Sequence, residues 1–394
     1  MQIEKFARAL AQQGIHSGAG VPCSFFTPLV NYMAADPAMQ YISAASEGEA
    51  VAIAAGMCAA GRSAFALMQN SGLGNAVNPI TSLLVPYGIP AALLVSHRGE
   101  PGRPDEPQHE HMGQITEQLA ELCGLRTHVL ADDAAAFESE LTAALAGGGP
   151  SAWICRKGRL EGGPDAPVRH VELASGTYMM PEHGSFTPEI TREDALRALL
   201  PLLDGDGAAP AHRPAVISTT GKTSRELYEL DDSAHDKTNR FYMVGSMGCA
   251  AGFGLGVAQA LAARDDSRRV IVIDGDGSLL MKLGTLATIG SLAPHKLHHI
   301  VLDNGAHDST GGQHTASPNV DLAAVALACG YRIAETWSSE RDFVTAARRH
   351  LASDGPTFLR MAIHTGARKD LGRPTLTPAA GYQRFRDFLA RGTA

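Results

Sequence analysis

The chain has 394 residues, which leaves room for two or three domains at roughly 150 residues each. Hydrophobic residues make up 44% and charged residues 19%, which excludes global disorder; a net charge of −8 with no long basic run argues against nucleic-acid or anionic-membrane partners. With 42 glycines and only 6% aromatics, the composition favours an α/β protein rich in tight loops over an all-β sandwich.

The longest apolar runs, such as 89–95, fall well short of the ~20 residues that a spanning helix needs. The opening Met1-Gln2-Ile3-Glu4-Lys5 lacks the apolar segment of a secretion signal. The six cysteines, at 23, 58, 123, 155, 249 and 329, lie far apart and form no Cys-x-x-Cys pair, so they read as reduced, buried thiols. Together these features predict a cytoplasmic protein.

Short β-rich runs alternate with longer helical stretches, as in parallel sheets with crossover helices. In the first half, strands are expected at 63–68, 91–96 and 152–156, and helices at 3–13, 47–60, 75–85, 116–123 and 134–146. The second half repeats the pattern, with strands at 215–218, 270–274, 299–303 and 357–363. Its helices are expected at 192–203, 223–229, 250–263, 279–292, 322–328, 340–352 and 378–390. Between the halves, residues 161–188 carry four prolines and four glycines without sustained periodicity, which is linker composition. The Thr191-x-x-Asp194 step that follows resembles a capping box opening the next helix. The predicted architecture is two doubly wound parallel-sheet α/β domains, residues 1–165 and 191–394, joined by a linker over 166–190.

The most informative segment is Val270-Ile-Val-Ile-Asp-Gly-Asp-Gly-Ser278, followed by a helix and then His299-Ile-Val-Leu-Asp-Asn-Gly305. It reads as a buried strand ending at Gly275-Asp276-Gly277, a crossover, and a second strand ending at Asn304. Both ends would emerge on the edge of the sheet where open α/β folds bind ligands. A carboxylate and an amide oxygen meeting there suit a hard cation such as Mg²⁺, which commonly shares its shell with phosphates. The glycines permit close approach of a diphosphate, and the helix after Ser278 offers amide donors.

Gly-Asp-Gly followed after this spacing by Asn resembles the motif of thiamin-diphosphate enzymes. The resemblance implies Asp276 and Asn304 as side-chain Mg²⁺ ligands, the Ala306 carbonyl completing the protein shell, and Gly277 and Ser278 holding the diphosphate. Where the family commonly has Asn-Asn, this chain has Asp303-Asn304, and the ligand is placed on the second residue. The family also requires a carboxylate at N1′ of the cofactor's aminopyrimidine, in an apolar site that tunes its proton transfer. Glu47, at the opening of the small-residue helix Glu47-Gly-Glu-Ala-Val-Ala-Ile-Ala-Ala-Gly56, is similar to that glutamate; the spacing of Glu49 to Gly56 fits less well. Gly245-Ser246-Met247-Gly248 resembles the turn that bends the cofactor, with Met247 supporting the bend and the Gly245 carbonyl holding the 4′-amino group. Thr219, Thr220 and Gly221, at the end of a predicted strand, are the candidates for a second diphosphate loop. Gly221-Lys222-Thr223 mimics the tail of a P-loop, but that motif needs glycine at 216, where Val216 stands. Nor do glycines 252, 254 and 256 form the Gly-x-Gly-x-x-Gly of a Rossmann dinucleotide site.

Across nearly its whole length the chain resembles the compact phosphonopyruvate and sulfopyruvate decarboxylases, which lack a central third domain. Gln69-Asn-Ser-Gly-Leu-Gly-Asn-Ala-Val-Asn78, Ser96-His-Arg-Gly99 and Asp308-Ser-Thr-Gly-Gly-Gln313 carry this likeness. It implies decarboxylation of 3-phosphonopyruvate to phosphonoacetaldehyde and CO₂ in phosphonate biosynthesis. The alternative is sulfopyruvate, or another small 2-keto acid undergoing decarboxylation or carboligation. Fusion of both domains in one chain favours the phosphonate. A small dianion needs local cations, and Arg98, Lys222, Arg225, His109 and His111 are the candidates. Asn70 and Ser71 follow a strand and are expected to face the reacting centre, and His109 is expected to supply a proton. In the family the site forms between the pyrimidine domain of one subunit and the diphosphate domain of another, so a homodimer or higher even oligomer is implied.

Overall fold

The computed structural model describes residues 1–165, 176–179 and 187–391, and divides into two units, Met1–Val171 and Glu172–Ala394. The first unit is built on six strands: β1 (Ser17–Gly20), β2 (Gln40–Ser43), β3 (Ala64–Gln69), β4 (Ala92–Ser96), β5 (Arg126–Val129) and β6 (Ser151–Cys155). They run parallel in the order β2-β1-β3-β4-β6-β5. The central strands are buried along almost their whole length, which is why they read as unbroken apolar runs. On one face, Phe6 of helix Ile3–Gln12 stacks on Phe137 of helix Ala134–Ala146 at 4.7 Å, and Phe137 meets Trp153 of β6 edge-on at 5.2 Å. The helix Glu47–Ala59 is buried from Gly48 to Ala59 on every side, consistent with its run of small residues.

The second unit carries β7 (Thr177–Met179), β8 (Ala215–Ser218), β9 (Arg240–Tyr242), β10 (Val270–Gly275), β11 (Leu297–Asp303), the short hairpin β12 (Ala306–His307) and β13 (Gln313–His314), β14 (Ile333–Trp337) and β15 (Thr357–Ala362). Seven of them form a parallel sheet in the order β7-β14-β15-β11-β10-β8-β9. Ile271, Ile273, Ile300 and Leu359 from this sheet share a core with Leu199 of helix Arg192–Leu203 and Phe343 of helix Glu340–Ala352. The Thr191 hydroxyl accepts from the Asp194 N–H and the Asp194 carboxylate accepts in return from the Thr191 N–H, so the capping box is present.

The structure differs from the expected elements in instructive places. The predicted helix 75–85 is two short α-helical pieces, Leu73–Pro79 and Val85–Tyr87, joined by a π-helical turn over Ile80–Leu84. Pro79 and Pro86 each remove a backbone donor there. The predicted helix 279–292 starts at Asp276 and breaks between Met281 and Thr285. The segment read as linker contributes β7, an edge strand of three residues whose backbone pairs with β14 and which no periodicity marks. Residues 166–175 and 180–186 of that predicted linker lie outside the described residues. All six cysteines are free, five of them buried and Cys329 half-buried. Among the described residues no helix is long and apolar enough to cross a membrane.

Candidate active site

Four adjacent strands of the second sheet, β11-β10-β8-β9, deliver their carboxyl ends to one place. Asn304 and Ala306 follow β11, Asp276 to Ser278 follow β10, Thr219 to Gly221 follow β8, and Met247 follows β9. All of these residues, together with Lys222, line one cleft of about 220 Å³. Gly245 follows β9 as well but is not among the lining residues. The strand-end logic of open α/β sheets thus accounts for the assembly: the continuous apolar runs of β10 and β11 fix the register, and the first polar residues past them reach the edge together.

One end of the cleft is built from oxygen atoms. Asp276 is only 2% exposed, and its carboxylate accepts from the Thr315 hydroxyl. Burial, and then the neighbouring charge of Asp303, push the Asp276 carboxyl up from the usual carboxylate range. Asn304 donates its amide N–H to Asp308 Oδ2 at 2.7 Å and accepts at Oδ1 from the Ala306 N–H at 3.1 Å. Asp303 accepts from Arg360 Nε of β15 at 2.7 Å, from the Ser317 hydroxyl at 2.8 Å and from the Gly305 N–H at 2.9 Å. Its carboxylate is therefore committed to these partners, and Asn304, the second residue of the pair, is the one that lines the cleft. A carboxylate, an amide oxygen and a backbone carbonyl are the ligand types of a hard cation, and a buried carboxylate with an acidic neighbour is a group that a cation would relieve.

The other end is shaped for a polyanion. Thr219 and Ser278 share a hydrogen bond of 2.8 Å between their hydroxyls, and Ser278 Oγ also accepts from the Gly248 N–H at 3.0 Å. Gly277 sits against the His307 ring and Met247: a Cβ there would lie 2.7 Å from His307 Cε1 and 3.3 Å from Met247 Cε. Only glycine leaves that floor open. Arg225, a candidate substrate cation, spends its guanidinium on the carbonyls of Leu371 and Gly372.

The candidates of the first unit also follow strand carboxyl ends, those of β2, β3 and β4, and Glu47, Asn70, Ser71 and Arg98 are tied to neighbours within that unit. Glu47 is half-buried rather than enclosed in the apolar site expected for it; Asn75 donates to its Oε2 at 2.9 Å. A Cβ at Gly72 would come within 2.6 Å of Glu47 Oε1, so the loop after β3 closes directly on the carboxylate. Glu49 is the fully buried acid, and its Oε2 accepts from the Ala45 N–H at 2.7 Å, an arrangement that fixes the start of the helix. Asn70 is wholly buried, with both amide hydrogens committed to the Arg98 carbonyl at 2.7 Å and the Thr116 hydroxyl at 2.9 Å. Its donors brace the loop after β4. Ser71 is exposed and accepts from Gln69 at 2.7 Å. Arg98 does not stand free for an anion: it is paired with Asp105 from both Nε and Nη2, lies over the Phe25 ring at 5.3 Å, and holds the Asp105 carboxyl well below the usual carboxylate range. His109 is buried at the start of helix Glu110–Leu122, and His111, two residues on, is exposed.

Four participants had no role assigned from sequence: Asn75 beside Glu47, and Thr315, Asp308 and Arg192 around Asp276 and Asn304. Asn75 and Asp308 stand within the motifs that carry the family likeness, a signal that could have led to them; nothing local marks Thr315 or Arg192.

Residues 3–120 match the N-terminal TPP-binding domain of the thiamine pyrophosphate enzymes, and residues 220–361 match their C-terminal TPP-binding domain. The fold agrees with that of a benzoylformate decarboxylase from Polynucleobacter necessarius, with a TM-score of 0.67 at 13% identity over 94% of this chain and 99% of that one. The chain belongs to the thiamine pyrophosphate enzyme family. It is 46% identical to a phosphonopyruvate decarboxylase of Streptomyces viridochromogenes, over 95% of this chain and 92% of that protein. It is 30% identical to a sulfopyruvate decarboxylase of Methanosarcina acetivorans, over 98% of this chain and 97% of that protein. The second match runs nearly end to end, so the fusion of both halves in one chain does not separate the two substrates.

Proposed function

We propose that this chain decarboxylates 3-phosphonopyruvate to phosphonoacetaldehyde and CO₂, using thiamin diphosphate held through Mg²⁺. The observation that carries the reading is the convergence of Asp276, Asn304, Ala306, Thr219–Gly221 and Met247 on one cleft at four adjacent strand ends, in a chain 46% identical to a phosphonopyruvate decarboxylase. The bound coenzyme supplies an electron sink for the pair of electrons left when CO₂ departs.

The chain's own residues supply the rest. Asp276, Asn304 Oδ1 and the Ala306 carbonyl hold the cation, while Thr219, Thr220, Gly221, Gly277 and Ser278 surround the diphosphate. Met247 would support the coenzyme, and the Gly245 carbonyl would accept from its amino group. Glu47 would hold the proton that the coenzyme's ring needs, and Asn75 orients its carboxylate. His109 would hold a proton for the product-forming step. Lys222 stands at the cleft with a cation to offer the phosphonate, whereas Arg98 and Arg225 are already engaged. The active unit is a homodimer or higher even oligomer, in which Glu47 of one subunit serves the diphosphate cleft of another.

The test is steady-state turnover of the Mg²⁺- and cofactor-loaded protein on both acids, alongside light scattering for the oligomer. Phosphonopyruvate is expected to exceed sulfopyruvate in kcat/KM by at least about 100-fold, on the scale of one well-matched set of polar contacts. The reverse order would transfer the assignment to sulfopyruvate, which the Methanosarcina relative keeps in view. A monomer that turns over would remove the shared site.

A further inference from the structure

Asn304 has an amide that could face the cleft with either its oxygen or its nitrogen, and only the oxygen can hold a cation. Two contacts decide the matter. The Ala306 N–H, which can only donate, lies 3.1 Å from Oδ1; the carboxylate of Asp308, which can only accept, lies 2.7 Å from Nδ2. Asp308 is itself held firmly. Its side chain is 8% exposed, Oδ2 accepts from Arg192 Nη1 at 3.2 Å, and both oxygens lie 3.1 Å from the Gly366 N–H. Arg192 cannot drift, because its Nε and Nη2 form a paired contact with Glu226 at 3.0 and 3.2 Å. Glu226 is 1% exposed, and burial, opposed by Arg192, pushes its carboxyl up.

We infer that Asp308 is a positioning residue for the divalent cation: it fixes the Asn304 amide with its oxygen toward the ion, while Arg192 and Glu226 hold Asp308 in place. The inference rests on the reading of Asn304 as a cation ligand. Asp308 itself touches neither cation nor substrate in this assignment; it acts through Asn304. Without its carboxylate the Asn304 amide loses the acceptor that pins Nδ2, and the wrong face of the amide becomes available to the cleft. Loss of such an outer partner weakens metal affinity about 10–100-fold in comparable sites.

The experiment titrates MgCl₂ into the full-length protein, stripped of metal, with thiamin diphosphate at saturating concentration, and follows binding by calorimetry. D308A is expected to raise the half-saturating Mg²⁺ concentration about 10–100-fold. D308N, which keeps an acceptor oxygen for Asn304, is expected to stay within about threefold of the parent, because what is needed is the hydrogen bond rather than the charge. In the double variant D308A/N304A, Mg²⁺ affinity should fall no further than in N304A alone, since both changes remove the same ligand. If D308A does not accumulate as folded protein, D308S, too short to reach Asn304, carries the same expectations. An unchanged half-saturation in D308A or D308S overturns the inference. So does a loss in D308N as large as in D308A, or an additive double variant, either of which would mean that Asp308 acts on the ion directly. If N304A leaves Mg²⁺ binding untouched, the ligand reading itself fails, and that outcome is distinct from the others.

Discussion

The two units treat their strand ends in opposite ways. In the second, four neighbouring strands send short polar segments into one cleft, and the side chains there are wired to one another: Thr219 to Ser278, Thr315 to Asp276, Asn304 to Asp308. In the first, Glu47, Asn70 and Arg98 also follow strand ends, yet each is tied to neighbours of its own, and Glu47 keeps an open side. The difference separates two tasks. Holding a charged coenzyme needs many fixed donors in one rigid body. Proton chemistry needs a few groups whose surroundings become dry only when the site is complete. On the proposed reading, the second unit carries the coenzyme-binding groups and the first the proton-exchanging ones.

The largest effects should come from variants that break this division. D276A removes the charged ligand of the cation end; coenzyme uptake in the presence of Mg²⁺, measured by calorimetry, is expected to weaken at least about 100-fold, with turnover falling in step. E47Q should do the opposite, keeping coenzyme affinity within about threefold while turnover drops about 10²–10⁴-fold. If E47Q weakened coenzyme binding as much as D276A does, the division of labour between the units would be wrong.

One substitution placed in each unit sharpens the same contrast. In G277A the new methyl group meets His307 and Met247 at the cleft floor, so the coenzyme dissociation constant should rise about tenfold. In G72A the methyl group meets the Glu47 carboxylate, so kcat should fall about tenfold with coenzyme affinity kept. H109Q belongs with the second kind: aldehyde release should slow more than CO₂ release, and equal slowing would remove His109 from the proton step.

How much of this could be read from sequence follows the same line. Asp276 and Asn304 were legible because each stands just past an uninterrupted apolar strand, so local pattern and function coincide. Helices Arg192–Leu203, Leu322–Ala328, Glu340–Ala352 and Pro378–Ala390 were legible to the residue, being amphipathic or capped by Thr191, Asp321, Ser339 and Thr377. Strands of three or four residues, such as Ser17–Gly20 and Arg240–Tyr242, are too short to show a period, and glycine dilutes the first of them. Contacts between distant residues leave no local trace at all. Nothing near Asp276 announces Thr315, 39 residues away, and nothing near Arg98 announces that Asp105 has already taken its charge.

The smallest expected effect separates the units by pH. In the second unit His298 is buried at the amino end of β11, its Nδ1 3.0 Å from the Thr357 hydroxyl, and burial, helped by the charge of Arg269, lowers its pKa to about 3. In the first unit His128, stacked on Trp153 at 4.5 Å, is lowered too, again by burial, but it is only half-buried. A histidine lowered in the folded state stays neutral there while the unfolded chain takes up a proton. Its contribution is therefore intact above the unfolded value near 6.5 and is lost progressively as pH falls toward 3. At about 1.4 kcal/mol per pH unit, acidification from 6.5 to 5 should cost the second unit about 2 kcal/mol through His298. Thermal unfolding followed over that range should show the second unit losing more stability than the first. H298Q, which keeps a partner for Thr357 but cannot take the proton, should flatten the slope of the second unit alone; an unchanged slope would place its acid sensitivity elsewhere.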